Sequence, residues 1–230
     1  MMTQNQLTAG QCGLSFFGCM SASISHEIKN SLAIINEHAG LLEDLALLSE
    51  KGVPINPDRL KTLSGSILRQ VKRADAIIKN MNRFAHSIDE PIKSINLSDM
   101  LCFTAMLSTR LASMKGVTLK PPSGEIAIEI QTRPFFLENL IWICLKAIFN
   151  AQEKAWNLNL TVENRESHAA ICFQLEDGSK TSAICRDILE ESRPILDLLQ
   201  AELQENTENH RIYLMLPKKM DAVGLCELID

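Results

Sequence analysis

The run Ser25-His26-Glu27-Ile28-Lys29-Asn30-Ser31-Leu32 puts an imidazole, a carboxylate, an amine and a carboxamide within five residues. A neutral imidazole, with an ordinary pKa of about 6.5, is a good nucleophile near neutral pH and accepts a phosphoryl group on one ring nitrogen. Glu27 can orient the ring or take a displaced proton. Lys29 can offer positive charge to a moving phosphoryl group. Asn30, one helical turn on, can shape the site or orient a water for attack on a phosphorylated partner. A single histidine on a helix is ordinarily just a solvated surface group, so its setting has to carry the reading.

That setting is helical. Helix 1 is predicted from Phe16 to about Ser49, with Ile24, Ile28, Ile35, Ala39, Leu42 and Ala46 recurring at steps of three, four or seven. At about 100° per residue these positions share a stripe about 60° wide. With Ile24 at zero, His26 falls at about 200°, Glu37 at about 220° and Asn30 at about 240°, opposite the stripe. Gly52 and Pro54 break the pattern. Helix 2 then opens with Asn56 as N-cap, Pro57 in the first turn and Asp58 beside it. Its apolar positions, Leu60, Leu63 or Ser64, Ile67, Val71, Ala74, Ile78, Met81, Ala85 and Ile88, alternate by four and three. Two such helices form a hairpin that leaves half of each seam facing water. Pairing into a four-helix bundle removes that exposure, so a homodimer through residues 14–88 is expected. Phe16, Phe17 and Met20 then read as the first turn of the dimer seam.

After Pro91 the pattern changes. Leu97 to Lys115 reads as a helix, and Gly116–Leu119 and Glu125–Ile130 as strands around the turn at Pro121 and Pro122. Pro134 to Ala155 reads as a long apolar helix. Asn157–Asn164 and Ala169–Leu175 read as strands, Ser182–Glu205 as a helix, and Arg211–Leu216 as a last strand. Helices on one face of a small sheet make an α/β sandwich. The expected organisation is thus residues 1–90 as hairpin and residues 91–230 as sandwich.

The chain has 230 residues, 46% of them hydrophobic and 22% charged, which excludes disorder and needs no staple. Its 23 Lys and Arg against 28 Asp and Glu, net −5, argue against nucleic acid. The seven cysteines include no C-x-x-C pair, so a reduced, cytoplasmic setting is expected. No basic residue precedes Lys29, so no signal peptide is expected, and Leu137–Phe149 is too short to span a membrane. No spacing of His, Cys, Asp or Glu matches a structural metal site.

The string His26 to Leu32 resembles the phosphoacceptor box of sensor histidine kinases, differing only in Ser31, where that family has proline. Arg73 to Ile78 followed by Phe84 is similar to the family's second helix. The run Arg133-Pro134 through Asn150-Ala151 is similar to the first helix of its ATP-binding domain, and Ile212–Pro217 to its final strand. In that alignment the two asparagines that hold Mg²⁺ and phosphates become Ile143 and Ala147. The Asp-x-Gly-x-Gly turn becomes Glu176-Asp177-Gly178-Ser179-Lys180, and no glycine follows from Thr181 to His210. The resemblance therefore implies a degenerate nucleotide site. With an intact histidine hairpin, it points to the histidine phosphotransferases of bacterial two-component phosphorelays. It further implies His26 as phosphoryl carrier, a response-regulator receiver as partner, and no cofactor of the chain's own, the Mg²⁺ arriving with the regulator. Three rivals remain: an ATP-dependent kinase with an unusual site, a non-catalytic pseudokinase, and a regulator phosphatase acting through Asn30. Of the other histidines, His38 reads as a satisfied interface residue, His86 as a helix cap, and His168 and His210 as loop residues; Trp142 and Trp156 read as core or interface.

Overall fold

The structure, a computed structural model, describes residues 4–122, 127–151, 156–175 and 181–220. By its internal contacts the chain forms two compact units, Phe17–His86 and Met1–Phe16 with Ser87–Asp230.

The first unit is the helical hairpin. Helix α1 runs Gln4–Glu50 and α2 runs Pro57–Ala85. A Schellman turn ends α1: Val53 N–H donates to the Leu48 carbonyl at 3.1 Å and Gly52 N–H to that of Ser49 at 2.9 Å. Gly52 takes φ +84 there, a conformation that penalises a side chain. Asn56 caps α2 as expected, its side chain accepting from the Asp58 amide at 2.9 Å. The buried stripe is a heptad series, rotated slightly from the expected one. Ile24, Ser31, His38 and Leu45 lie inward on α1, while Ala39 and Ala46 are exposed. On α2 the inward series is Leu63, Gln70, Ile77 and Phe84, flanked by Leu60, Ile67, Ala74 and Met81; Val71, Ile78 and Ile88 are exposed. Phe17 stacks on Phe84 with ring centroids 5.5 Å apart.

The second unit is the α/β sandwich. Strand β1, Lys93–Asn96, which sequence reading missed, precedes α3, Leu97–Met114. Then come β2 Val117–Lys120, β3 Glu129–Thr132, α4 Pro134–Asn150, β4 Trp156–Asn164, β5 His168–Gln174, α5 Thr181–Leu199, β6 Glu202–Asn206 and β7 Arg211–Pro217. Strands β1 and β3 form an antiparallel pair. The main sheet has the order β2-β4-β5-β7-β6, with β2 and β4 parallel and the rest antiparallel. In β4, Trp156, Leu158, Leu160 and Val162 face the core while Asn157, Asn159 and Thr161 face outward, the period of a strand with one wet face. Helix α4 is apolar nearly all round and packs against α3 and α5, as a helix wrapped by other elements must. Trp142 and Trp156 are buried, as expected. Burial pushes the Cys144 thiol far up and that of Cys185 up to about 12, so both stay protonated packing groups.

Several boundaries differ from expectation. Helix α4 stops at Asn150 rather than Ala155; residues 152–155, like 123–126 of the expected second strand, lie outside the described residues. The helix expected to reach Glu205 stops at Leu199, where Gln200 adopts φ 53 and ends it, and β6 follows. His168 opens β5 rather than sitting in a loop. Helix α1 starts at Gln4, not Phe16, because its first turns have an apolar surface to lie on. Phe16, 0% exposed, meets the Phe135 ring at 5.7 Å and the Trp142 ring at 5.4 Å. A Cβ on Gly13 would lie 3.0 Å from Phe135. Phe16 is therefore a core residue of the sandwich unit, not the start of a dimer seam. Replacing it with alanine is predicted to destabilise that unit by about 3–5 kcal/mol. Denaturant unfolding of the variant checks this, and a loss below about 1 kcal/mol contradicts the packing.

Candidate functional site around His26

His26 lies on α1 two residues past the inward Ile24, and its side chain is exposed. The heptad seam dictates this, since two helical steps turn a side chain by about 200° away from the core. Asn30 is exposed on the same face. Its Nδ2 lies 3.2 Å from His26 Nδ1, the one contact the structure shows among the four candidate residues. Glu27 is half-buried and Lys29 exposed, and neither forms a hydrogen bond or ion pair with the ring. Ser31, in the place of the family's proline, is 1% exposed in the seam; the helix continues through it unbroken.

The Asn30 contact has a chemical consequence. With the amide NH₂ donating to Nδ1, the ring proton sits on Nε2. With the carboxamide turned over, its oxygen accepts from Nδ1–H and the Nε2 lone pair faces solvent. The second arrangement is the nucleophilic one. It needs no change in α1, only rotation of an exposed side chain.

The other histidines differ. His38 is half-buried in the seam, and its Nδ1 is shielded with no hydrogen-bond partner in the chain. His86 is the C-cap of α2. His168 Nδ1 lies 2.7 Å from the Ser167 hydroxyl, and His210 occupies the turn before β7 at φ 50.

The sequence resemblance implies a nucleotide with Mg²⁺, and the residues at the two aligned positions do not fit them. Ile143 is 1% exposed inside α4's packing and Ala147 presents a methyl group, so neither offers an oxygen to a hard cation. Asn150 is exposed at the last turn of α4. Glu176 and Gly178 lie outside the described residues. Among the described residues no group of three His, Cys, Asp or Glu side chains is placed to hold a metal ion, and no helix is long and apolar enough to cross a membrane.

No family model and no curated protein matches the chain. Solved structures that it is similar to are histidine kinases. The Acinetobacter baumannii histidine kinase AdeS shares 9% identity over 84% of this chain and 98% of its own, with TM-score 0.44. The catalytic domain of histidine kinase ThkA shares 12% over 56% and 97%, TM-score 0.42. ThkA in complex with the response regulator TrrA shares 17% over 89% and 63%, TM-score 0.39. Likenesses this distant carry no argument about activity, which rests on the chain's own residues.

The Asn30 contact makes a measurable prediction. At about pH 8, where an ordinary imidazole is neutral, ¹⁵N ring shifts of His26 should change on Asn30→Ala toward the tautomer mixture of a free histidine. Ring shifts identical in both proteins contradict the contact.

Proposed function

We propose that the chain is a histidine phosphotransferase of a two-component phosphorelay, exchanging a phosphoryl group between His26 and an aspartate of a response regulator. One observation carries this reading: an imidazole stands on the solvent face of a helical hairpin with one ring nitrogen engaged by Asn30 and the other open. In the forward step the Nε2 lone pair attacks the phosphorus of the regulator's acyl phosphate. A P–N bond forms, the P–O bond to the aspartyl carboxyl breaks, and the carboxylate leaves. The ring becomes cationic, and the Asn30 oxygen accepting from Nδ1–H stabilises that charge. Lys29 adds positive potential for the phosphoryl oxygens, and Glu27 tunes or orients the ring. Mg²⁺ belongs to the regulator's own acidic pocket, and the setting is cytoplasmic. An autokinase reading lacks support at Ile143 and Ala147, which supply no metal ligand.

The working form is a homodimer, the hairpins pairing into a four-helix bundle. Two features of a single chain support this. Leu32, Val71 and Ile78 stand to one side of the seam and are exposed, Leu32 at 54%. Ser31 Oγ, His38 Nδ1 and Gln70 Oε1, all at heptad positions, are shielded from water with no partner in the chain. Polar groups at seam positions commonly find theirs on another helix of the bundle.

A second reading, regulator phosphatase, draws on Asn30 itself, whose exposed carboxamide is placed to orient a water. Incubation with a phosphorylated receiver separates the two. The phosphotransferase predicts acid-labile label on His26, none on His26→Ala, and slower transfer in Asn30→Ala. Loss of phosphoryl from the receiver with no label on this chain contradicts it and favours the phosphatase.

A further inference from the structure

The segment after α2 and the first turn of α4 enclose an open cavity of about 120 Å³. Its walls are Ile88, Pro91, Phe135 and Phe136, and its cation is Arg133. The Arg133 Nε is shut off from water and meets no acceptor, and the side chain has no ion-pair partner among the described residues. Glu90, the one carboxylate lining the cavity, is held instead by Lys93 at 2.6 Å. Burial pulls the guanidinium's pKa down, and among the described residues no acid offsets it. A cation partly withdrawn from water, with one nitrogen fully shielded, gains from a counter-ion. Here the position is built into an apolar hollow, which selects an anion with an apolar body. The planar guanidinium fork matches the two oxygens of a carboxylate. Phosphate, with more oxygens to satisfy, finds few other donors on these walls.

We infer that this cavity binds a small organic monocarboxylate, its carboxylate on Arg133 and its body against Phe135, Phe136, Ile88 and Pro91. The volume equals that of about four waters in the liquid, which limits the ligand to a short-chain or single-ring acid. The site shares no residue with the His26 face and stands independently of the phosphoryl-transfer reading.

Calorimetric titration of the full chain with benzoate tests it. Saturable one-to-one binding is expected, weakened at least tenfold by Arg133→Met, with benzyl alcohol, the neutral analogue, and inorganic phosphate binding more weakly. Because Arg133 is partly packed, a surface variant serves as a second probe. Ile88 is 61% exposed, and Ile88→Glu supplies a competing carboxylate at the cavity's edge, so it should abolish benzoate binding in a folded protein. The proposal is overturned if wild type shows no saturation at tens of millimolar benzoate. Equal binding by folded Arg133→Met, by Ile88→Glu, or of benzyl alcohol overturns it as well.

Discussion

The heptad register of the hairpin is the constraint from which the candidate site follows. Ile24, Ser31, His38 and Leu45 must face inward together, as must Leu63, Gln70, Ile77 and Phe84. That fixes the rotation of α1 about its axis and turns His26 and Asn30 outward as a pair. A shift of the seam by one residue would rotate every side chain by about 100° and carry the imidazole toward the packed side. The turn at Gly52 and the Asn56 cap fix where α1 ends and α2 begins, so the seam also depends on a few hydrogen bonds at the loop.

In the sandwich unit, α4 is the element around which the rest packs. It is apolar on nearly every side because α3, α5 and the first turns of α1 all lie against it. The same packing fills the position where a metal ligand would stand with Ile143. A helix wrapped in this way gains stability from burial on several sides at once.

Much of this was legible in the residues. The cap at Asn56 and the break at Gly52 located α2, because capping is local chemistry. The outward placement of His26 followed from period alone. What the residues concealed depended on tertiary partners. The early start of α1 requires Phe135 and Trp142 as a surface for Phe16, and no local signal announces them. Ala39 and Ala46 looked inward because small apolar residues fit either face, whereas Leu45, not among the expected stripe residues, is the buried one. Strand β6 was hidden because Leu203 is the only apolar residue in it, and β1 because four residues with one isoleucine carry no alternation. Arg133 gave no signal at all; only the cavity around it makes its lack of a partner conspicuous.

The central claim is that one imidazole stands open for phosphoryl transfer while the seam shields another. Treatment of the folded chain with potassium phosphoramidate, a small phosphoryl donor, followed by mapping at alkaline pH, tests that without any partner protein. Phosphoryl should accumulate on His26 first, with His38 unmodified. Modification of His38 ahead of His26, or of His86 and His168 with His26 left untouched, would contradict the account.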